Sequence, residues 1–86
     1  MAALTSKHLR QLRDSPLDGW NRVARAIELS GVTQMDIADA IGVPQPYVSA
    51  VARQLYQTIT VENAHKFADY FGCTIDDLFP AREAVA

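Results

Sequence analysis

The sequence contains few of the residues that would identify a metalloprotein, a disulfide-stabilised domain or a membrane protein. Cys73 is the single cysteine, which excludes an intramolecular disulfide and suits a reducing cytoplasm. Because there is no CxxC pair or Cys/His cluster, we expect neither a structural zinc site nor any other cofactor. No apolar run approaches the ~18 residues that cross a bilayer, and residues 1–14 lack the apolar segment of a secretory signal. We therefore expect a cytoplasmic protein without membrane contact.

Groups suited to catalysis are equally scarce. His8 and His65 have no partners at the spacing of metal ligands, and the Asp76-Asp77 pair suits the start of a helix better than an acid/base dyad. Cys73 lies beside an apolar stripe, which favours a small buried hydrophobe over a nucleophile. The sequence therefore predicts a protein that is not an enzyme.

Positive charge is also in short supply, since eight Lys and Arg face ten Asp and Glu for a net charge of −2. This balance argues weakly against nucleic acid as a partner, because phosphate binding usually leaves a basic footprint. The charge is unevenly placed, however: residues 1–25 carry +3 and residues 26–86 carry −5. Such asymmetry can orient a small protein on a polyanion, although both runs can equally be solvated helix faces.

What the sequence does contain is helical periodicity in a chain long enough for one domain. Its 86 residues are 49% hydrophobic, and no window shows β alternation or a hairpin turn. We predict an all-α fold of five helices plus a short extra one at the N-terminus. The predicted organisation is a helical extension over residues 1–15, a domain over residues 16–80 and a flexible tail over residues 81–86.

The first two predicted helices are separated by a Ser-Pro pair. Residues 4–14 form an amphipathic helix that Thr5 or Ser6 caps. We predict that the next helix has Ser15 as its N-cap and Pro16 in its first position, and that it ends at the Ser-Gly pair before Val32. Asp18 would complete its capping box, and its core-facing stripe would comprise Trp20, Val23, Ala24 and Ile27.

Residues 34–53 contain two short helices joined by a tight turn. Thr33 and Asp36 form a capping box for the first, whose apolar face includes Ile37 and Ile41, and Gly42 supplies a left-handed end. A helix, a short glycine-containing turn and a second helix is a DNA-binding pattern. A residue before proline is disfavoured in helical conformation, so we predict Gln45 as the cap of the second helix, Pro46 as its first residue and an end near Gln54.

The remaining chain is predicted to supply a loop and two helices. Residues 55–59 form a loop with apolar anchors at both ends. Thr60 caps the next helix and Gly72 closes it, after which Thr74 caps a final short helix that ends before Pro80. The buried stripes of these helices would comprise Val61, Ala64, Phe67, Ala68, Phe71, Ile75, Leu78 and Phe79.

The stretch VTQMDIADAIGVPQPYVSAV resembles the lambda repressor/Cro-like helix-turn-helix proteins, and the resemblance covers roughly residues 20–80. The matching positions are Thr33, Gln34, Ile37, Ala38, Ile41, Gly42, Val43, Val48 and Ser49, and more follow between Val61 and Phe79. Ala38 must be small where the two helices cross. The family often has an arginine at the position of Ile27 and a glutamate at that of Ala52. Both are apolar here, and losing both ions of such a pair together is nearly neutral.

The resemblance implies a DNA-binding surface centred on the second helix of the motif. In such proteins its first residues meet base edges in the major groove, and Gln45 holds the principal reading position. The base-contacting residues it implies are Gln45, Pro46, Tyr47, Ser49 and Ala50. The phosphate-contacting residues are Gln34, Arg53, Gln54, Tyr56, Gln57 and Thr58. Gln45 can instead be a simple helix cap, Arg53 a surface residue unrelated to DNA, and Tyr47 a residue packed on the domain.

The function this implies is that of a sequence-specific transcriptional regulator of the repressor type that binds double-stranded DNA. Because a monomer with so few cations should bind weakly, we expect a homodimer on a palindromic operator. Its contact would involve the last helix and tail, or the N-terminal helix through Leu9 and Leu12. The alternative is a protein-interaction module, or an antitoxin-type partner-binding protein, that retains the fold.

Overall fold

Six α-helices and their short connections form the part of the chain that this computed structural model describes, which is residues 3–17, 19–80 and 85. In chain order the helices are α1 (Ser6–Asp14), α2 (Val23–Ser30), α3 (Gln34–Ile41), α4 (Gln45–Ala52), α5 (Val61–Phe71) and α6 (Ile75–Leu78). The predicted all-α class is confirmed. Within these ranges no helix is long and apolar enough to span a membrane.

Threonine side chains begin four of these helices, as the sequence predicts. At each one the hydroxyl oxygen accepts a hydrogen bond from the backbone N–H three residues on, which satisfies a group that the helix leaves without a partner. The N-terminal threonines of α3 and α6 form full capping boxes, with Asp36 and Asp77 as the acids. The four capping residues are Thr5, Thr33, Thr60 and Thr74.

The N-terminal helix α1 packs onto the rest of the molecule. Leu12 is fully buried, and the backbone N–H groups of Ala3 and Leu4 donate to the carbonyls of Tyr70 and Phe71 at the end of α5. Arg13 donates to Asp77 in α6 through both Nε (2.8 Å) and a terminal nitrogen (3.2 Å). The apolar face of α1 is therefore used inside the domain.

The start of α2 differs from the prediction. The helix begins at Val23, and Ser15 instead ends α1, where its backbone N–H donates to the carbonyl of Leu12. Asn21 explains the later start, because its Oδ1 accepts from the N–H of Val23 at 3.0 Å. Asp18, the predicted capping acid, lies outside the described residues.

The later start also changes which α2 side chains face the core. Ala26 is buried and Ala24 is exposed, so the predicted stripe is wrong at Ala24. Trp20 precedes the helix and is half-buried, with its ring centroid 5.7 Å from that of Phe79.

Helix α5 forms the centre of the core. Its buried face matches the predicted stripe at Ala64, Phe67, Ala68 and Phe71, whereas Val61 is exposed. In the loop before α5, Ile59 is buried and forms a single parallel β-bridge with Val85. Leu55, predicted as the other apolar anchor, is exposed. The flexible tail stays a prediction, because residues 81–84 and 86 are outside the described part.

Candidate nucleic-acid interface

The turn between α3 and α4 is built around a glycine with left-handed backbone geometry. Gly42 has φ 74° and ψ 39°, which few other residues adopt without strain. The N–H groups of Gly42 and Val43 both donate to the carbonyl of Ala38, at 2.9 and 3.1 Å. The carbonyl of Ala38 thus accepts two hydrogen bonds that close the end of α3, and the chain is directed into α4.

Helix α4 begins one residue earlier than predicted. Pro44 is the N-cap, with its carbonyl accepting from the N–H groups of Tyr47 (3.0 Å) and Val48 (3.4 Å). Gln45 is therefore the first helical residue and Pro46 the second. Proline disfavours helical backbone at the residue before it but does not forbid it, and the N–H it lacks would have no partner in this first turn.

The first residue of α4 is joined to the first residue of α3. Nε2 of Gln45 donates to Oε1 of Gln34 at 2.9 Å. This bond brings together the predicted base reader and the predicted phosphate contact, and orients both side chains. Gln45 is therefore not the cap of α4, so the predicted cap position is wrong, and so is the alternative in which capping is its only role.

Most of the predicted base-contacting residues lie on one accessible face of α4. Gln45 and Pro46 are exposed, and Ser49 and Ala50 are partly exposed. Spacings of three or four residues relate Ser49 and Ala50 to the two residues at the start of the helix, which places all four on one side of α4. Arg53 extends that side beyond the C-terminal end of the helix. The structure thus assembles a surface of amide, hydroxyl and methyl groups.

Tyr47 is the exception among the predicted base readers. Its hydroxyl accepts from Nδ2 of Asn63 at 3.0 Å, and its ring centroid lies 6.4 Å from that of Phe67 and 5.9 Å from that of Tyr56. Tyr47 is therefore packed on the domain, which is the alternative that the sequence left open.

The predicted phosphate-contacting residues after α4 divide into two groups. Arg53, Tyr56, Gln57 and Thr58 are exposed. Gln54 instead directs its Oε1 toward the segment before α2, where it accepts from the N–H of Trp20 at 2.6 Å and of Asn21 at 3.3 Å. The side chain of Gln54 therefore contributes to the packing of the domain.

Several of the N-terminal cations are engaged within the domain. Arg13 pairs with Asp77, Arg22 donates to the carbonyl of Asp77, and Arg25 pairs with Glu28 and donates to Oγ of Ser15. The hydrogen bond from Arg13 is the main reason that the pKa of Asp77 lies below its ordinary value. Much of the positive charge counted in residues 1–25 thus serves internal contacts.

Cys73, the single cysteine of the chain, is partly buried. Burial raises the pKa of the Cys73 thiol to about 12, which keeps it protonated and unreactive at neutral pH. Among the residues that the structure describes, no His, Cys, Asp and Glu side chains come together in a group that could hold a metal ion.

The structural roles of two residues in this region, Asn21 and Asn63, were not predicted from the sequence. Asn21 is a preferred residue type at helix starts, so its place before Val23 offered a local signal. The bond from Asn63 to Tyr47 joins different helices, and no local pattern indicates it.

A helix, a left-handed glycine turn and a second helix with an accessible N-terminal face define a helix-turn-helix protein of the DNA-binding class. The sequence matches the helix-turn-helix family HTH_3 over residues 23–78, which is more than half of the chain. The chain belongs to this lambda repressor/Cro-like family, whose domains are those of DNA-binding transcriptional regulators. Comparisons with curated proteins and with solved structures gave no significant match.

Proposed function

We propose that this protein is a cytoplasmic, sequence-specific transcriptional repressor that acts as a homodimer on a palindromic operator. The observation that carries the proposal is the accessible face of α4, with Gln45 held by Gln34 at its leading end. A domain of this kind blocks transcription most simply by occupying the operator, which is the reason to prefer a repressor.

The α4 face has the chemistry of a base-reading surface. The amide of Gln45 matches the donor and acceptor pattern of adenine in the major groove, where it can form two hydrogen bonds. The hydroxyl of Ser49 can bond several bases, and the methyl of Ala50 can contact that of a thymine. Pro46 offers only an apolar contact.

Phosphate binding would come from the edges of this face. Gln34 lies in the first turn of α3, where the backbone N–H groups that the capping box does not use can contact a phosphate. Arg53 is the only cation between Gln45 and Glu62. The remaining contacts would be those of the exposed Tyr56, Gln57 and Thr58. So few charges bind DNA weakly, and this is the reason to propose two copies per operator.

The surface best suited to join two copies is an exposed apolar patch that we define as Leu55 and Val61. It lies in and beside the loop after α4, and residues 54–61 carry no charge, so two copies can meet there without repulsion. Leu12 of α1 is fully buried and Leu9 packs against the core, which leaves α1 poorly suited to the role. A contact beside α4 also keeps two such helices close enough to read half-sites ~34 Å apart.

The test is to select binding sequences from random duplexes and then compare Gln45→Ala with Gln57→Ala. We expect Gln45→Ala to weaken operator binding by ~1–3 kcal/mol and to leave binding to a scrambled duplex unchanged. Gln57→Ala, which removes a proposed phosphate contact, should weaken both by the same factor. Equal losses on both duplexes in Gln45→Ala would contradict a base-reading role.

A protein-interaction module is the second candidate, and the net charge of −2 with an uncharged α4 favours it. A salt titration separates the two. A regulator shows a clear log–log dependence of affinity on salt and a preferred palindrome, whereas an interaction module binds no duplex even at low salt.

A further inference from the structure

Two side chains join the C-terminal end of α4 to the segment that precedes α2. Asn21 is 4% exposed, and its Nδ2 donates to the carbonyl of Val51 at 3.1 Å while its Oδ1 accepts from the N–H of Val23 at 3.0 Å. Oε1 of Gln54 accepts from the N–H groups of Trp20 and Asn21 at 2.6 and 3.3 Å. We call this set of bonds the Asn21–Gln54 clamp.

The clamp gives a partner to the N–H of Val23 and adds a second donor to the carbonyl of Val51, which also accepts from the N–H of Gln54 at 3.0 Å. The carbonyl of Val51 lies in the last turn of α4, and the N–H of Val23 lies in the first turn of α2. To bond both this carbonyl and this N–H, one short buried side chain must carry a donor and an acceptor, and asparagine has both. Replacing it would leave at least one buried polar group unpaired.

Gln54 is an unusual residue for the backbone conformation that it adopts. Its φ is 61°, in the left-handed region where glycine and asparagine are favoured. Glutamine suits this position because its side chain is long enough to reach the backbone N–H groups of Trp20 and Asn21. Gly19, with φ 113°, makes room for it, because a Cβ on residue 19 would lie 2.0 Å from Oε1 of Gln54. The loop before α2 and the C-terminal end of α4 therefore pack with complementary shapes.

We propose that Asn21 and Gln54 are positioning residues that fix the direction of α4 and so determine which bases its exposed face reaches. The turn between α3 and α4 fixes the N-terminal end of α4, and the Asn21–Gln54 clamp fixes its C-terminal end. The apolar Ile27 and Ala52 form no directional bonds between α2 and α4. For a helix of eight residues, about 12 Å long, a tilt of ~5° moves one end by ~1 Å, enough to disturb hydrogen bonds to base edges.

The inference rests on the proposed function, and its test compares three variants with the unaltered protein. Gln54→Leu removes the acceptor, whereas Gln54→Glu keeps an oxygen in its place. Thr74→Ala is the matched control, because it removes a helix cap in α6 and leaves the clamp intact. The first readout is the ratio of affinities for the selected operator and a scrambled duplex, at a temperature where every variant is folded.

We expect Gln54→Leu to lower this ratio roughly tenfold, while Gln54→Glu and Thr74→Ala retain it. The extra charge of the glutamate should weaken binding to both duplexes by the same factor, and the ratio removes that effect. If Gln54→Leu retains the ratio, or Thr74→Ala lowers it as much, the positioning role is overturned.

A second readout needs no DNA. Residual dipolar couplings of backbone N–H groups give the direction of α4 relative to α2 and α5 in the free protein. We expect the direction to change in Gln54→Leu and in Asn21→Asp, which loses the donor to Val51 but keeps the acceptor for Val23. An unchanged direction in both overturns the inference. If the unaltered protein prefers no duplex sequence, the proposed function fails, and the couplings still decide whether the clamp positions α4.

Discussion

At the scale of single residues, Asp77 combines more roles than any pattern in the sequence suggests. Its carboxylate accepts from Arg13, and it also accepts from the N–H of Thr74 to complete the capping box of α6. The sequence predicts only that Asp77 lies in the first turn of a helix capped by Thr74, and the structure adds the capping box. The bond to Arg13 spans 64 positions along the chain.

Asp77 leads to a prediction about pH. Its pKa is lowered in the folded state, first by the bond from Arg13, so its stabilising effect is complete above the ordinary carboxyl pKa near 4. The effect is lost as pH falls through the lowered value. We expect Asp77→Asn to cost ~1–2 kcal/mol of unfolding free energy at pH 7 and to reduce the loss of stability of the unaltered protein below pH ~4.

Urea denaturation followed by circular dichroism between pH 7 and pH 2.5 measures this. Asp76→Asn, an exposed neighbour in the same turn, is the control and should keep the pH dependence of the unaltered protein. Parallel pH profiles for Asp77→Asn and the unaltered protein would rule out the assigned role.

At the scale of elements, the structure shows where local chemistry is sufficient to define a helix. The threonine caps and the glycine ends of α2, α3 and α5 are determined by residues within one turn, and all were predicted from the sequence. The start of α2 was not predicted. Ser15 and Pro16 supply an adequate local signal, but the helix begins later, at Val23, where Asn21 bonds its first N–H. Bonds from Asn21 and Trp20 to residues about 30 positions away stabilise that arrangement.

The same limit applies to the candidate site. The accessible face of α4 could be predicted, since helical spacing places Gln45 and Ser49 together. The inward placement of Tyr47 and Gln54 could not, because it depends on Asn63 and on the segment before α2.

Helix α1 provides the element-scale prediction. Leu12 is fully buried against the core, so Leu12→Ala should lower the free energy of unfolding by ~2–5 kcal/mol through lost burial and a remaining cavity. Urea denaturation at neutral pH is the measurement. Arg10→Ala, at an exposed position of the same helix, should change it by less than ~0.5 kcal/mol. A similarly small change for Leu12→Ala would mean that α1 is not an integral part of the fold.

At the scale of the whole molecule, its dimensions and surface charge are compatible with the proposed homodimer. The principal extents of 28 × 26 × 19 Å are close to the spacing of adjacent half-sites, so two copies side by side can each reach one. The charge that should attract DNA is modest, and part of it is neutralised internally by Asp77 and Glu28. In the proposed dimer, affinity would come from linking two weak contacts.

The exposed apolar patch yields the corresponding prediction. If the proposed dimer forms through this patch, Leu55→Asp should shift the protein to a monomer, because it places two like charges at the proposed two-fold contact. Sedimentation equilibrium across a range of concentrations measures the change. Met35→Asp is the matched control, since Met35 and Leu55 are both 62% exposed but lie on different elements. A dimer that persists in Leu55→Asp, or is lost equally in Met35→Asp, would argue against this patch.

Trp20 gives these experiments an internal optical probe. It is the single tryptophan of the chain, its backbone N–H is bonded to Gln54, and its indole ring lies against Phe79. The fluorescence of one indole group therefore arises from the place where α4 meets the core. Its emission wavelength and quenching should respond to movement of α4, so unlabelled protein is sufficient to follow a change in that helix during titration.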